Sequence, residues 1–284
     1  MKDFLSTIFE YFSYPFVAYS FIVGILIAFS SSLFGASLVL KRHSMIGDGL
    51  SHIAFGAMAV SAILNFTGND MIIVMPVTVL SAIIILRTGK KSKIKGDASI
   101  AMLSVGSLAV GYLLMNVFPV STNISGDVCS SLFGSTAFLN LKNSDVFLCS
   151  LFSIVVILLF VLNYNKIFAV TFDEDFFQSC GVSAERVNLF MSVITAVVIV
   201  LAMNLVGALL ISALIVFPPI SAMRVCKSYF STVITSAIIS VISAAVGIIL
   251  SMYIESPVGS TVAVVNIVMF FICSIFGQIR TKNA

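Results

Sequence analysis

The sequence predicts an all-α, polytopic membrane protein with eight or nine transmembrane helices, and three observations carry that prediction. Hydrophobic residues make up 60% of the 284-residue chain and charged residues only 10%, far below the roughly 25% charged fraction of a soluble domain. Too few polar side chains remain to coat a water-facing surface, whereas a bilayer removes the need for one. Nine apolar segments come close to the ~20 residues that cross a ~30 Å hydrocarbon core. The Lys and Arg residues, finally, collect in alternate loops. The whole of 1–284 therefore reads as a single transmembrane domain.

The first fifteen residues mix Lys2, Asp3 and Glu10 with aromatics and hold no A-x-A site, so they do not read as a cleaved signal peptide. Apolar segments then run over 16–40, 46–64, 71–86, 98–118, 146–162, 187–203, 206–223, 232–253 and 258–279. Those at 71–86 and 187–203 are short, and only Asn204 and Leu205 divide the pair between 187 and 223. Eight spans plus a partial or re-entrant segment is therefore an alternative to nine. Pro76 is expected to kink the third segment, and Pro218-Pro219 to bend or end the helix that begins near Val206. Ser256-Pro257 reads as an N-cap followed by proline at the first position of the last helix. The word Ser-Ser-Leu-Phe-Gly recurs at 31–35 and 130–134, which is too short to establish a repeat.

Cytoplasmic loops retain Lys and Arg, so charge placement sets orientation. With the N-terminus outside and nine crossings, Lys41, Arg42, Arg87, Lys90, Lys91, Lys93, Lys95, Lys166, Arg186, Arg224, Lys227, Arg280 and Lys282 fall on the cytoplasmic side, 13 of 15. Only Lys2 and Lys142 remain outside. The net charge of +3 thus follows topology and implies no nucleic-acid partner. Cys129, Cys149, Cys180, Cys226 and Cys273 contain no C-x-x-C pair, so neither a disulfide framework nor a zinc–thiolate cluster is indicated.

The stretch Ile46-Gly47-Asp48-Gly49-Leu50-Ser51-His52 opens the second segment. It sets a carboxylate and an imidazole four apart, which on a helix stacks them on one face with Cβ atoms about 5–6 Å apart. One divalent cation then reaches both. Oxygen plus imidazole suits zinc, manganese or ferrous iron rather than calcium or magnesium. Two ligands are too few for a tight site, but two copies of the chain meeting at a symmetry axis would supply four. A plainer reading stands beside this one: Asp48 caps the helix and His52 bonds a neighbouring carbonyl. His43, next to Lys41-Arg42, reads as a headgroup or solvent contact.

A second stretch, Thr171 to Gly181, lies in the longest predicted cytoplasmic loop. Thr171 and Glu174 form a T-x-x-E capping box, Asp173, Glu174 and Asp175 sit at the positive end of the helix dipole, and Gly181 is a natural stop. A short helix outside the membrane is expected, with Phe172, Phe176 and Phe177 on one face for docking onto a partner or the protein's own surface. Alternatively, the loop is a solvated turn whose phenylalanines dip into the headgroups. No G-x-x-x-x-G-K-S/T loop is present, so ATP hydrolysis by that route needs another chain, and no H-E-x-x-H appears. The basic run Lys90 to Lys95 reads as a topology signal touching anionic lipid.

These motifs resemble those of the permease subunits of ABC importers for zinc, manganese and iron. The resemblance covers nearly the whole chain. It rests on Lys41-Arg42 followed by Ser44-Met45-Ile46-Gly47-Asp48-Gly49-Leu50-Ser51-His52, on Thr171-Phe172-Asp173-Glu174 with Gly181, on Val206 to Leu214, and on Ser256-Pro257-Val258-Gly259. Gly49 stands where the family usually has alanine, and Val258-Gly259-Ser260 replaces a small-Gly-Ala run. The resemblance implies a multi-pass homodimeric permease in a bacterial plasma membrane, with a translocation path at the dimer interface and Asp48 and His52 as path ligands. It also implies two cytoplasmic ATPase subunits and an extracytoplasmic metal-binding protein. Phe172, Asp173, Glu174, Phe176, Phe177 and Gly181, in a coupling segment at about 171–187, would meet the ATPase. The chain would be no enzyme and would hold no tight cofactor, only the transported metal.

Two other classes compete. A gradient-driven secondary metal transporter should show more acidic relays within its spans, where only Asp48 qualifies. A membrane enzyme finds thin support in one Asp–His pair with no oriented nucleophile.

Overall fold

The computed structural model describes residues 13–64, 71–91, 96–118, 143–181 and 183–282. Lys2, Asp3, Glu10, Lys93, Lys95, Cys129, the word at 130–134 and Lys142 lie outside the described residues. Among the described residues there are ten helices and no strand: α1 Pro15–Leu40, α2 Ile46–Ile63, α3 Met71–Lys91, α4 Gly96–Val117, α5 Asn143–Phe172, α6 Glu174–Ser179, α7 Ala184–Val206, α8 Ala208–Val225, α9 Tyr229–Ile254 and α10 Val258–Lys282. In hydrocarbon every backbone N–H must find its acceptor within the segment, so long Leu/Ile/Val/Phe runs become helices whatever their aqueous propensity.

The protein is thus all-α and polytopic. Eight of these helices are long and apolar enough to cross a membrane, and the apolar part of α3, Ile72–Ile85, is shorter. Of the two segments expected to be marginal, only this one is; Ala184–Met203 reaches full length. The fifth segment extends ten residues further than its apolar run indicated, because α5 continues through Lys166 to Phe172.

Three boundaries differ from expectation. The division between α7 and α8 is Gly207 rather than Asn204-Leu205, with φ at +97°, a conformation that needs glycine. Pro218 and Pro219, expected to bend or end α8, do not end it, and the helix runs on to Val225. The last helix starts one residue late: Pro257 accepts from the Thr261 amide instead of being the first helical residue, and Ser256 Oγ lies 2.6 Å from Thr261 Oγ1.

Contacts group the chain into two compact units. One comprises the described residues of 1–36, 130–161 and 202–284, the other those of 37–129 and 162–201. In the first, α8, α9 and α10 pack on one another, and Ser240 Oγ on α9 donates to the Ala28 carbonyl of α1 at 2.7 Å. Gly35 of α1 lies so close to α8 that an added Cβ would sit 2.4 Å from the Ile215 oxygen. Pro219, four residues after Ile215, has no N–H to offer that oxygen, so the close approach of Gly35 falls on a carbonyl lacking its helical donor. In the second unit α2 packs against α3 and most extensively against α4. Glycine makes that approach possible: an added Cβ would lie 2.5 Å from Ile100 Cγ2 at Gly49 and 2.3 Å from Ser107 Oγ at Gly56. Small residues at such contacts let membrane helices gain dispersion energy backbone to backbone.

Candidate functional site

The turn between α1 and α2 is built before the site is reached. Arg42 adopts the left-handed conformation, φ +61°, its amide donates to Val39 and that of His43 to Leu38. This pairing is the Schellman closure of a helix end, here without the usual glycine. His43 is half-buried. Met45 occupies the N-cap of α2 with no side-chain cap bond, so Asp48 is the third helical residue and not the cap.

The carboxylate of Asp48 turns along the helix towards His52. Oδ1 of Asp48 and Nε2 of His52 are 3.5 Å apart, beyond the ordinary hydrogen-bond range of roughly 2.7–3.2 Å. In the first turns α2 is buried at Ile46, Gly47, Gly49, Leu50, Ser51 and Ile53, while the Asp48 and His52 side chains are 50% and 22% exposed. Met45, 49% exposed, lies on the same strip at i−3 from Asp48. Nδ1 of His52 is buried and has no hydrogen-bond partner among the described residues. Among the described residues, no group of three or more His, Cys, Asp or Glu converges on one point. Asp48 and His52 thus form a pair and not part of a larger cluster among the described residues.

The loop after α5 holds α6. Its N-cap is Asp173, whose Oδ1 accepts from the Phe176 amide at 2.9 Å. The expected Thr171–Glu174 capping box does not form. Thr171 still belongs to α5 and donates to the Ile167 carbonyl at 2.6 Å, and Glu174 Oε1 accepts from Asn188 Nδ2 at 3.2 Å. Gly181, φ +82°, donates to Gln178 just past the helix end, which is the stop its position suggested.

The three phenylalanines do not share a face, because consecutive helical residues diverge by about 100°. Phe172 ends α5 and packs on Phe168, with ring centroids 5.1 Å apart. Phe176 is 66% exposed. Phe177 turns inward onto Val170, Ala184 and Val187, fastening α6 to its own unit. Sequence reasoning missed Asn188, on α7, which bridges Glu174 and Lys41. The available signal was an amide side chain early in an otherwise apolar span, where an unpartnered polar group is costly.

The model of the ABC 3 transport family matches residues 13–277. The chain belongs to that family. It is a transport permease and not an enzyme, with ATP hydrolysis on a separate subunit, which sets aside the gradient-driven and enzymatic alternatives. The permease is 24% identical over 263 residues to the manganese transport system membrane protein MntC of Listeria monocytogenes, covering 93% of this chain and 91% of that one. It is 26% identical over 254 residues to the high-affinity zinc uptake system membrane protein ZnuB of Buchnera aphidicola, covering 89% and 94%. Among solved structures, PsaBC from Streptococcus pneumoniae in complex with Fab matches with a TM-score of 0.81 at 24% identity, over 95% of the permease and 94% of that chain. That likeness shows the fold.

Proposed function

We propose that the permease carries a divalent transition-metal ion inward across a bacterial plasma membrane and that Asp48 and His52 are stations on its path. The 3.5 Å gap between their ligand atoms is the observation that carries this reading. Two ligands each about 2.1 Å from a cation, at a tetrahedral angle, lie about 3.4 Å apart. The ion would enter between side chains already at its bite. Carboxylate plus imidazole selects manganese, ferrous iron or zinc over calcium and magnesium, in keeping with the metals in the relatives' names.

Two ligands hold an ion loosely, and an ion held too tightly would never leave. A second copy across a twofold axis supplies another Asp and His at the same point. The open strip of α2 supports this arrangement, since a carboxylate facing acyl chains would be costly. Two cytoplasmic ATPase subunits seat on α6 and the end of α5, where Phe176 and Phe172 are exposed, Asp173 caps α6, Glu174 ties it to α7, Gly181 stops it and Phe177 anchors it. Closure of the ATPase pair moves α6 and switches the path between two states. A metal-binding protein delivers the ion on the outer side, where the N-terminus also lies by the Lys/Arg count. Lipid covers the apolar faces of α4, α5 and α10, the spans with least burial.

The test is uptake and ATP hydrolysis by the reconstituted complex, assayed ion by ion. Manganese, zinc or ferrous ion is expected to stimulate hydrolysis and to enter only with ATP, while calcium does neither. Uptake that proceeds without ATP, or that ignores the identity of the ion, overturns the reading.

A further inference from the structure

Lys41, Asn188 and Glu174 form a single polar chain across the second unit. Lys41 Nζ donates to Asn188 Oδ1, and Asn188 Nδ2 donates to Glu174 Oε1 at 3.2 Å. All three side chains are partly buried. The amide has one orientation that serves both neighbours, because an ammonium only donates and a carboxylate only accepts. Both bonds are charge-assisted, the stronger class of hydrogen bond.

The placement of the three residues is what matters. Glu174 is the first residue of α6, Asn188 is in the second turn of α7, and Lys41 directly follows α1. From Lys41 the Schellman-closed turn leads in five residues to Ile46, and Asp48 lies in the first turn of α2. That turn offers little slack: its amides at 41, 42 and 43 are bonded to Ser37, Val39 and Leu38, and the Ile46 amide to His43.

We infer that Asn188 is a positioning residue which, by holding Glu174 and Lys41 together, transmits displacement of α6 to the Asp48–His52 end of α2. The inference rests on the proposed docking of the ATPase at α6. When α6 shifts, Glu174 draws Asn188, Lys41 follows, and the short bonded turn passes the movement into the helix that bears the ligand pair. A chain of hydrogen bonds with two arrangements is the kind of physical link through which such coupling travels.

Two measurements separate this link from the reading beneath it. Hydrogen–deuterium exchange of the permease alone in nanodiscs, with no ATPase present, reads the link itself. Asn188→Leu is expected to speed exchange of the amides from His43 to Gly49 by about tenfold, the size of one charged hydrogen bond, while α9 keeps its wild-type rates. Unchanged exchange at those amides overturns the link. In proteoliposomes of the full complex, the same variant is expected to lower manganese taken up per ATP hydrolysed by about tenfold, and Asn188→Gln, which keeps both amide functions, restores it. A parallel fall in uptake and hydrolysis, or an unchanged ratio, overturns the coupling role. Lys41→Met gives the same readings should Asn188→Leu fail to fold. Whether Phe176→Ala still binds the ATPase decides the docking reading independently of either result.

Discussion

His52 Nε2 lies 3.5 Å from Asp48 Oδ1, one turn away on the least covered strip of α2. At that separation the two atoms gain little from each other directly, yet they suit a cation placed between them. The neighbouring helices fix the strip's direction, since Gly49 sets α2 against Ile100 and Gly56 sets it against Ser107.

Asp48→Ala and His52→Ala are each expected to abolish metal uptake while leaving expression, insertion and thermal unfolding at wild-type levels, because both side chains are partly exposed and fill no core. Asp48→Asn keeps the shape but loses the charge, and with it most of the attraction for a divalent ion. Proteoliposome uptake reads the result. Wild-type rates in the two alanine variants would return the pair to helix packing.

Gly56→Val should loosen α2 from α4. An added Cβ there lies 2.3 Å from Ser107 Oγ and 2.9 Å from the Ser107 oxygen, so backbone must move. Overpacking of this kind costs about 1–3 kcal/mol. Gly106→Ala is the control, since nothing lies within 4 Å of its added Cβ. Thermal unfolding in detergent is expected to fall for the first and to hold or rise for the second.

Asp173→Ala removes the only side-chain cap of α6 seen among the described residues and should destabilise that helix by about 1 kcal/mol. Thr171→Ala should leave α6 unchanged, because Thr171 bonds back into α5. Amide exchange across 174–180 distinguishes the two. Equal effects would reinstate a reciprocal capping box.

Phe176→Ala and Phe177→Ala should part company although they are adjacent. Phe176 is exposed, so its loss is expected to leave stability unchanged and to uncouple ATP hydrolysis from uptake. Phe177 packs on Val170, Ala184 and Val187, so its loss should cost about 1–3 kcal/mol, less than for a fully buried phenylalanine. Unfolding midpoints and the ratio of uptake to hydrolysis check both. Intact coupling in Phe176→Ala would make the loop a plain connector.

Apolar length and the placement of a few residues were enough to read the spans, the Asp48–His52 pair and the stop at Gly181, because each depends on local periodicity or on the solvent a segment needs. Long apolar runs have one outcome in hydrocarbon, and a separation of four has one consequence on a helix. The capping of α6, the inward turn of Phe177 and the bridge through Asn188 depend instead on which helix lies next to which. Thr171 matched the capping-box spacing, yet α5 ran on through it and left Asp173 to do the capping. Lys41 and Asn188 are 147 positions apart, and no pattern along a chain encodes a contact at that distance. Only the folding of the second unit, which holds both residues, brings them together, since a partly buried ammonium and amide gain most when each satisfies the other.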